Sequence, residues 1–454
     1  MDPIAAPTVT VVGGGLAGTE AALQLARFGI RVRLVEMRPV VQTPAHRGDG
    51  LAEIVCSNSL KSTAPATASG LLKDELDLLG CRLLACARQT SVPAGAALAV
   101  DRDEFSARVF DRINAEPLIE ISRLEVSDLP PRENHHWLVA TGPLTSPDLM
   151  GELGRITGRP ALHFFDAIAP TVTLESLDLE TLYRAARYDK GDADYLNAAL
   201  DETRYNEFLE ALLGAEKAAV NAFDKGDLFE GCQPIEEIAA SGPKSLAFGP
   251  LRPVGLNDPA SGRRAHAVVQ LRQENRDGTL FGLVGFQTRL RQGEQKRVFR
   301  MIPGLQNAEF VRFGQLHRNF YLDTPRCCAR DFSLRERQDV WIAGQITGVE
   351  GYVESMTSGL VTSWLLAARL KGIKLPGLPL ESLTGSLLRG FLFDTTTARF
   401  SPMNVNFGIM PDLPIQVRGK RERKIAKAER AVTALKDWMA AEEVAGLLAA
   451  SGEE

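Results

Sequence analysis

The feature that most constrains this chain is a glycine triplet close to its start. Gly13, Gly15 and Gly18 form G-x-G-x-x-G. The β-branched run TVTVVG precedes them, and a helical pattern through Ala21, Leu25 and Phe28 follows. Gly29 ends that pattern, and RVRLVE reads as a second strand closing on Glu36. A strand, a glycine turn, a helix and a second strand make the opening β-α-β unit of a doubly wound parallel sheet. The first glycine permits the tight turn, the second lets backbone approach a pyrophosphate, and the third lets helix and strand pack closely. The helix start, Gly14 with Leu16 and Ala17 included, offers N–H donors and partial positive charge to an anion. Glu36 stands at the distance expected of a ribose acceptor. The alternative for such a pattern is a structural glycine turn that holds nothing.

A chain of 454 residues exceeds one simple core, so two or three modules are expected. Apolar residues are 44% and charged residues 24%, an ordinary globular balance. No apolar run reaches the ~18 residues of a membrane span, and the first residues lack the pattern of a secretory signal. A cytoplasmic protein is expected. The six cysteines form no C-x-x-C pair and no metal-ligand spacing, so no metal is expected. Cys81, Cys86, Cys327 and Cys328 are read as buried small hydrophobes. The sequence leaves the oligomeric state open.

The fold class is α/β: a Rossmann-like dinucleotide-binding domain with an inserted α+β domain. Residues 1–150 form the first part of the cofactor domain, 151–315 the insertion, 316–415 the second part, and 416–454 a basic helical region. Residues 42–70, rich in Gly, Ser, Thr and Pro, read as a long functional loop. Within the insertion, the charged stretch 175–223 reads as helical, followed by short strands such as AHAVVQL and TLFGLVGF. The cofactor fold resumes at DVWIAGQITGVEGYVES, where a strand runs into glycines, Gly344 and Gly351 among them, and then a long helix. A second glycine-led helix of this kind favours FAD over a nicotinamide dinucleotide, because its N-terminus can stabilise charge on a reduced flavin. Tyr352 is either a cover for the ring face or a packed aromatic.

Several segments together resemble one family. VVGGGLAGTEAALQLARFGIRVRLVEMRP, EIVCSNSLKS, ASGLLKDEL, FEGCQPIEE, GQITGVEGYVES and PMNVNFGIMP are similar to the folate- and FAD-dependent tRNA (uracil-5-)-methyltransferases (TrmFO), relatives of the GidA-type flavoproteins. The likeness runs over roughly residues 8 to 435. It implies transfer of a one-carbon unit from 5,10-methylenetetrahydrofolate by way of FAD to C5 of the T-loop uridine at tRNA position 54, with NADPH or NADH as reductant. It also implies that Cys232, in FEGCQPIEE, is the nucleophile. Thiolate addition to C6 turns C5 from a poor into a competent nucleophile. The neighbours Glu230, Glu236 and Glu237 would raise a thiol pKa, so support for a Cys232 thiolate must come from elsewhere. The resemblance gives Cys56, in EIVCSNSLKS, a supporting role such as removing the C5 proton; the alternative is a loop cysteine near the flavin that only shapes the pocket. Lys61 nearby is expected to favour its thiolate. His317 and Arg318 are candidates to flank a pteridine, by stacking and by pairing with a carboxylate; the alternative for His317 is a buried, hydrogen-bonded ring.

Two basic stretches suit an RNA partner. Arg418, Lys420, Arg421, Arg423, Lys424, Lys427, Arg430 and Lys436 face only Glu422 and Glu429; Arg289, Arg291, Lys296, Arg297 and Arg300 form the other. Such stripes can neutralise phosphates, with Arg421 and Lys424 the central candidates. Against them stands the plain solvated face. Three functions remain open on the residues alone: the methyltransferase, a flavin oxidoreductase of a small molecule, and a non-catalytic flavin-containing tRNA-binding factor.

Overall fold

The computed structural model describes residues 9–160, 162–189, 192–218, 233–259, 261–394 and 400–449. Its first elements follow from the glycines. Strand Val9–Val12 is buried, Gly13 turns at φ +108°, and helix Leu16–Arg27 begins shortly after. That φ is open to glycine and costly for other residues. A Cβ on Gly18 would lie 1.9 Å from the Gly13 carbonyl oxygen, so helix and strand reach this separation only with glycine there. Strand Val32–Glu36 then returns parallel to the first, with Val9 opposite Val32. Parallel pairing continues on both sides. The spatial order is Val340–Ile342, His136–Val139, Val9–Val12, Val32–Glu36, Ile119–Arg123. A parallel sheet is covered on both faces, which is why its central strands read as unbroken apolar runs.

The 19-residue helix Tyr352–Leu370 crosses Leu16–Arg27 on this sheet. Small residues set that crossing: Cβ atoms on Gly344 and Gly359 would fall 2.6 Å from the Ala17 Cβ and 2.3 Å from the Ala17 carbonyl oxygen. Trp364 locks the far end. Its indole donates to Gln24 Oε1 at 3.1 Å and stacks at 6.2 Å on Trp438, from the C-terminal helix Lys420–Met439.

Between the halves of this fold lies a six-stranded sheet, in the order Tyr183–Ala185, Tyr195–Leu200, Ala267–Gln273, Leu280–Leu283, Thr171–Thr173, Phe310–Arg312, with antiparallel pairing throughout. It has its own core, which includes Val172, Leu200, Phe208, Phe286 and Phe299. The helix expected over 175–223 is confined, among the described residues, to Glu202–Leu213. Two strands occupy the preceding stretch because Leu196, Ala198 and Leu200 are buried at period two against Ala267–Leu271, and that burial outweighs the local charge. The two modules meet along one antiparallel pair, Leu162–Ala167 with Leu316–Tyr321, which sets His317 opposite Asp166. No helix among the described residues is long and apolar enough to cross a membrane.

Candidate active site between the two modules

A cavity of about 430 Å³ runs from the glycine turn to the junction of the modules. At one end it is lined by Gly13, Gly15, Leu16 and Ala17 with Glu36; at the other by Cys56, Asp166, His317, Gly351 and Tyr352. A smaller space of about 90 Å³ adjoins it and shares Cys56, Ser57, Arg272 and Gln287.

The glycine end has the form of an anion cradle. A Cβ on Gly15 would meet no atom within 4 Å, so open space stands over that backbone. Gly15 is the N-cap of Leu16–Arg27 and makes no side-chain capping bond. Elsewhere in the fold Thr67, Asp101 and Asp201 cap the helices that follow them. Gly15, Leu16 and Ala17 line the cavity, so an anion there can accept from the N–H groups left free at this helix start. Gly14 and Gly18 stand behind this surface: the Gly14 N–H donates to Glu36 Oε2 at 2.8 Å, and Gly18 packs on Gly13. Burial opposes charge on Glu36, yet the guanidinium and backbone N–H of Arg38 outweigh it and hold the carboxyl below its usual range. An ionised, buried carboxylate beside an open glycine turn fits the ribose and pyrophosphate of FAD. Helix Tyr352–Leu370 likewise starts at an uncapped glycine, Gly351 at φ +119°, and presents Gly351, Tyr352 and Val353 to the same cavity. Gly344 contributes packing against Ala17 and lies outside the lining.

The stretch 42–70, expected to be a loop throughout, contains strand Ser59–Ser62, paired with Ala97–Val100, and the start of helix Ala68–Leu78; Cys56 lies in the irregular part before them, which is held by groups far away in sequence. The Tyr352 hydroxyl accepts from the Cys56 N–H at 2.8 Å and from the Ser57 N–H at 3.2 Å. Arg272, from the six-stranded sheet, donates to Ser57 Oγ at 2.7 Å and Asn58 Oδ1 at 2.8 Å. Tyr352 is thus a strap between the cysteine loop and the long helix. The Cys56 thiol donates to Asp166 Oδ2 at 3.3 Å. Burial pushes this thiol well above its ordinary pKa, and the Asp166 carboxylate pushes it further. Lys61 does not support a Cys56 thiolate as its position in the sequence suggested. Its ammonium is drawn to Asn404 Oδ1 at 2.6 Å and Glu354 Oε1 at 3.4 Å instead. Glu350, buried in the same wall, is also pushed well above the carboxylate range, first by burial and then by Asp166.

Cys232 lies outside the described residues. Just beyond it, the Ile235 N–H bonds the Gln287 carbonyl at 2.7 Å, and Gln287 lines both spaces. Two of the acids expected to burden this cysteine are engaged elsewhere. Glu236 accepts from Thr288 Oγ1 and the Arg289 N–H, both at 2.8 Å, while Glu237 pairs with Lys217 and Arg289. Glu230, like Cys232, lies outside the described residues.

His317 and Arg318 do not act as a pair. Strand side chains alternate, so His317 and Asn319 line the cavity while Arg318 is exposed on the opposite face. His317 is 8% exposed and its Nε2 is buried without a hydrogen-bond partner among the described residues. Burial, then Arg312, lowers its pKa, so the ring is neutral near pH 7. Sequence reasoning missed Asp166, Arg272, Gln287, Asn319, Glu350 and Asn404. One signal was available: an acid inside the apolar run LHFFDA needs a reason to be buried.

The basic stretches separate. Arg291 pairs with Glu216 at 2.8 Å, Arg297 with Glu294 at 2.6 Å, Arg289 with Glu237, and Arg300 donates to the Ala308 carbonyl. Three of the five cations of that stripe are thus paired with acids, while Lys296 lies 5.6 Å from the Phe313 ring centroid. On the C-terminal helix Lys427 is buried and donates to the carbonyls of Phe407 and Met410, and Arg430 to those of Pro411 and Asp412. Lys420, Arg421 and Arg423 remain exposed at its start, with Arg418 just ahead of them, and Lys424 lies 5.6 Å from the Phe407 ring centroid. Phe407 is close in sequence to Asn404 at the cavity wall.

These features define the class: a two-module, GidA-type dinucleotide-binding protein. Residues 8–374 match the family model described as glucose inhibited division protein A. The fold is that of Aquifex aeolicus GidA in its form II crystal, with a TM-score of 0.68 at 17% identity over 97% of this chain and 75% of that one. Within the class the chain belongs to the family named methylenetetrahydrofolate–tRNA-(uracil-5-)-methyltransferase TrmFO. It is 51% identical to the member from Desulfitobacterium hafniense over 96% of this chain and 99% of the relative. It is 49% identical to that from Listeria innocua over 94% and 98%.

Proposed function

We propose that the protein methylates C5 of uridine in tRNA, taking the carbon from 5,10-methylenetetrahydrofolate and using FAD reduced by NADPH or NADH, and that its target is the T-loop uridine at position 54. The observation that carries this reading is a cavity joining an uncapped glycine cradle to a hydrogen-bonded thiol and a neutral imidazole. FAD, when bound, supplies the redox and one-carbon chemistry.

The chain's own residues do the rest. Gly13 sets the turn with its own N–H held by the Val35 carbonyl; Gly15, Leu16 and Ala17 would hold the pyrophosphate through backbone N–H groups, and Glu36 would accept from the ribose. The start of helix Tyr352–Leu370, which lines the same cavity, would offer partial positive charge to the cofactor. His317 packs against the pterin, with Asn319 beside it. Cys232 adds to C6 of the uracil and Cys56 receives the C5 proton. The cofactor-binding parts, 1–150 and 316–415, hold FAD; the insertion, 151–315, carries Cys232 and Asp166; the basic start of the region from 416 contacts phosphate. The uridine must be turned out of its stack, because C5 and C6 are attacked from above the ring plane. A cytoplasmic location fits this substrate.

The direct test is incubation of the flavin-loaded protein with methylenetetrahydrofolate, NADPH and unmodified tRNA transcript. 5-Methyluridine at position 54 is expected, and none would overturn the assignment. Cys232→Ala should keep the flavin absorbance and lose methylation. Retained methylation would place the nucleophile elsewhere.

A further inference from the structure

Cys56 occupies an unusual position for a group that must accept a proton. Among the described residues its sulfur bonds a carboxylate and no cation. Asp166 lies 3.3 Å from it. A second carboxyl, Glu350 from the loop before the long helix, lines the same wall, and the Tyr352 hydroxyl holds the Cys56 backbone. The nearby cations are directed elsewhere: Arg272 to Ser57 and Asn58, Arg102 to the Val55 carbonyl and Glu274, Arg312 to the Val55 carbonyl, and Lys61 to Asn404 and Glu354. A thiolate here would stand against the Asp166 carboxylate, and like charges so close disfavour it. The thiol is therefore the resting form, and a thiol by itself is a poor base.

We infer that Asp166 is the positioning residue that makes Cys56 a proton acceptor: the proton leaving uracil C5 passes to the Cys56 sulfur as the sulfur's own proton passes to Asp166 Oδ2. This rests on the uridine-methylating reading above. The step balances. The C5–H bond breaks and its electron pair stays with the uracil ring. The S–H bond that breaks is replaced by a new one, so the thiol ends as it began. The carboxylate ends as a carboxylic acid and later returns its proton to water. No further oxidant or reductant takes part. The fold supports the pairing. Asp166 is 4% exposed on strand Leu162–Ala167, opposite His317, and so is fixed in the wall that faces the cysteine loop.

Two measurements on the flavin-loaded full chain test this. The first is the pH dependence of iodoacetamide labelling at Cys56, followed on the peptide that contains it. In Asp166→Asn the profile should move down by ~1–3 pH units, because a like charge beside the sulfur has gone. The second is tritium release from tRNA labelled at uridine C5. Asp166→Asn should release it at least ~100-fold more slowly, the lower range for removal of a proton-transfer group. Asp166→Glu, which keeps a carboxylate, should recover part of that rate. An unmoved labelling profile, or tritium release within twofold of the parent, would overturn the inference. If the parent itself releases no tritium, the methylation reading has failed, and the labelling experiment still decides whether Asp166 governs the thiol.

Discussion

The two walls of the cavity are built from different materials. At its phosphate end the cofactor-fold wall is backbone: Gly13, Gly15 and two helix starts that lack side-chain caps. The opposite wall is side chain: Asp166, Arg272, Gln287, His317 and Asn319, drawn from separate strands and loops of the insertion and its junction. A backbone wall binds whatever presents phosphate in the right place, and its geometry is set by a handful of consecutive residues. A side-chain wall selects chemistry atom by atom, and its geometry exists only after distant strands have paired. Binding of the cofactor and choice of the reaction are thus divided between them.

The sharpest way to break this division is at the glycines, where the largest effect is expected. Gly15 has φ −79° and ψ −169°, a conformation open to any residue, and a Cβ there meets nothing. Gly15→Val should therefore fold with a nearly unchanged melting temperature, while its side chain fills the cradle and flavin absorbance disappears. Gly18→Val should fail to fold, since even a Cβ would sit 1.9 Å from a carbonyl oxygen. A Gly15→Val protein that still purifies yellow would show that the cradle is not where FAD is held.

A smaller effect is expected on the side-chain wall. His317→Ala should retain flavin and tRNA binding but raise KM for methylenetetrahydrofolate by ~10-fold. That corresponds to about 1.4 kcal/mol, within the range for a buried polar or stacking interaction. Because burial and Arg312 keep this imidazole neutral, the parent KM should stay flat from about pH 6.5 to 8, above the lowered pKa. Arg318→Ala, on the outward face, should leave the folate KM unchanged. An equal effect of both substitutions would mean that strand alternation does not govern this wall.

The same contrast explains what the sequence disclosed. Gly13, Gly15, Gly18 and Glu36 were legible because a turn, a helix start and a strand end must recur at fixed spacing whenever backbone binds a dinucleotide. The two-module architecture followed from the return of that pattern at Gly344–Tyr352. Asp166 and Arg272 were not legible in their roles. One is 110 positions and the other 215 positions from the loop residue it bonds, Cys56 and Ser57 respectively. Nothing local marks such a pair. The helix expected over 175–223 failed for a related reason: charge density suggested solvent exposure, whereas Tyr195–Leu200 is fixed by a partner strand, Ala267–Gln273, far along the chain. Lys61 shows the limit most plainly. Close to Cys56 in sequence, it is drawn away by Asn404, a residue from the far end of the chain.

The smallest effects concern charge outside the cavity, where two stretches of similar composition differ only in their partners. Arg291 and Arg297 each face an acid at salt-bridge distance. Arg421, by contrast, is exposed at the start of its helix, and Lys424 lies over the Phe407 ring. Exposed ion pairs contribute little to stability, but they do remove net charge from the surface that RNA meets. Reversing Arg421 and Lys424 to Glu should weaken tRNA binding and lower the steepness of log Kd against log salt by up to ~2, one for each phosphate the helix no longer neutralises. Reversing Arg291 and Arg297 together with their acids, Glu216 and Glu294, keeps the local charge balanced and should leave that slope unchanged. If the second set flattened the slope as much as the first, the pairing in the free protein would have to open on binding. The paired arginines would then be a latent part of the RNA surface, not a finished part of the fold.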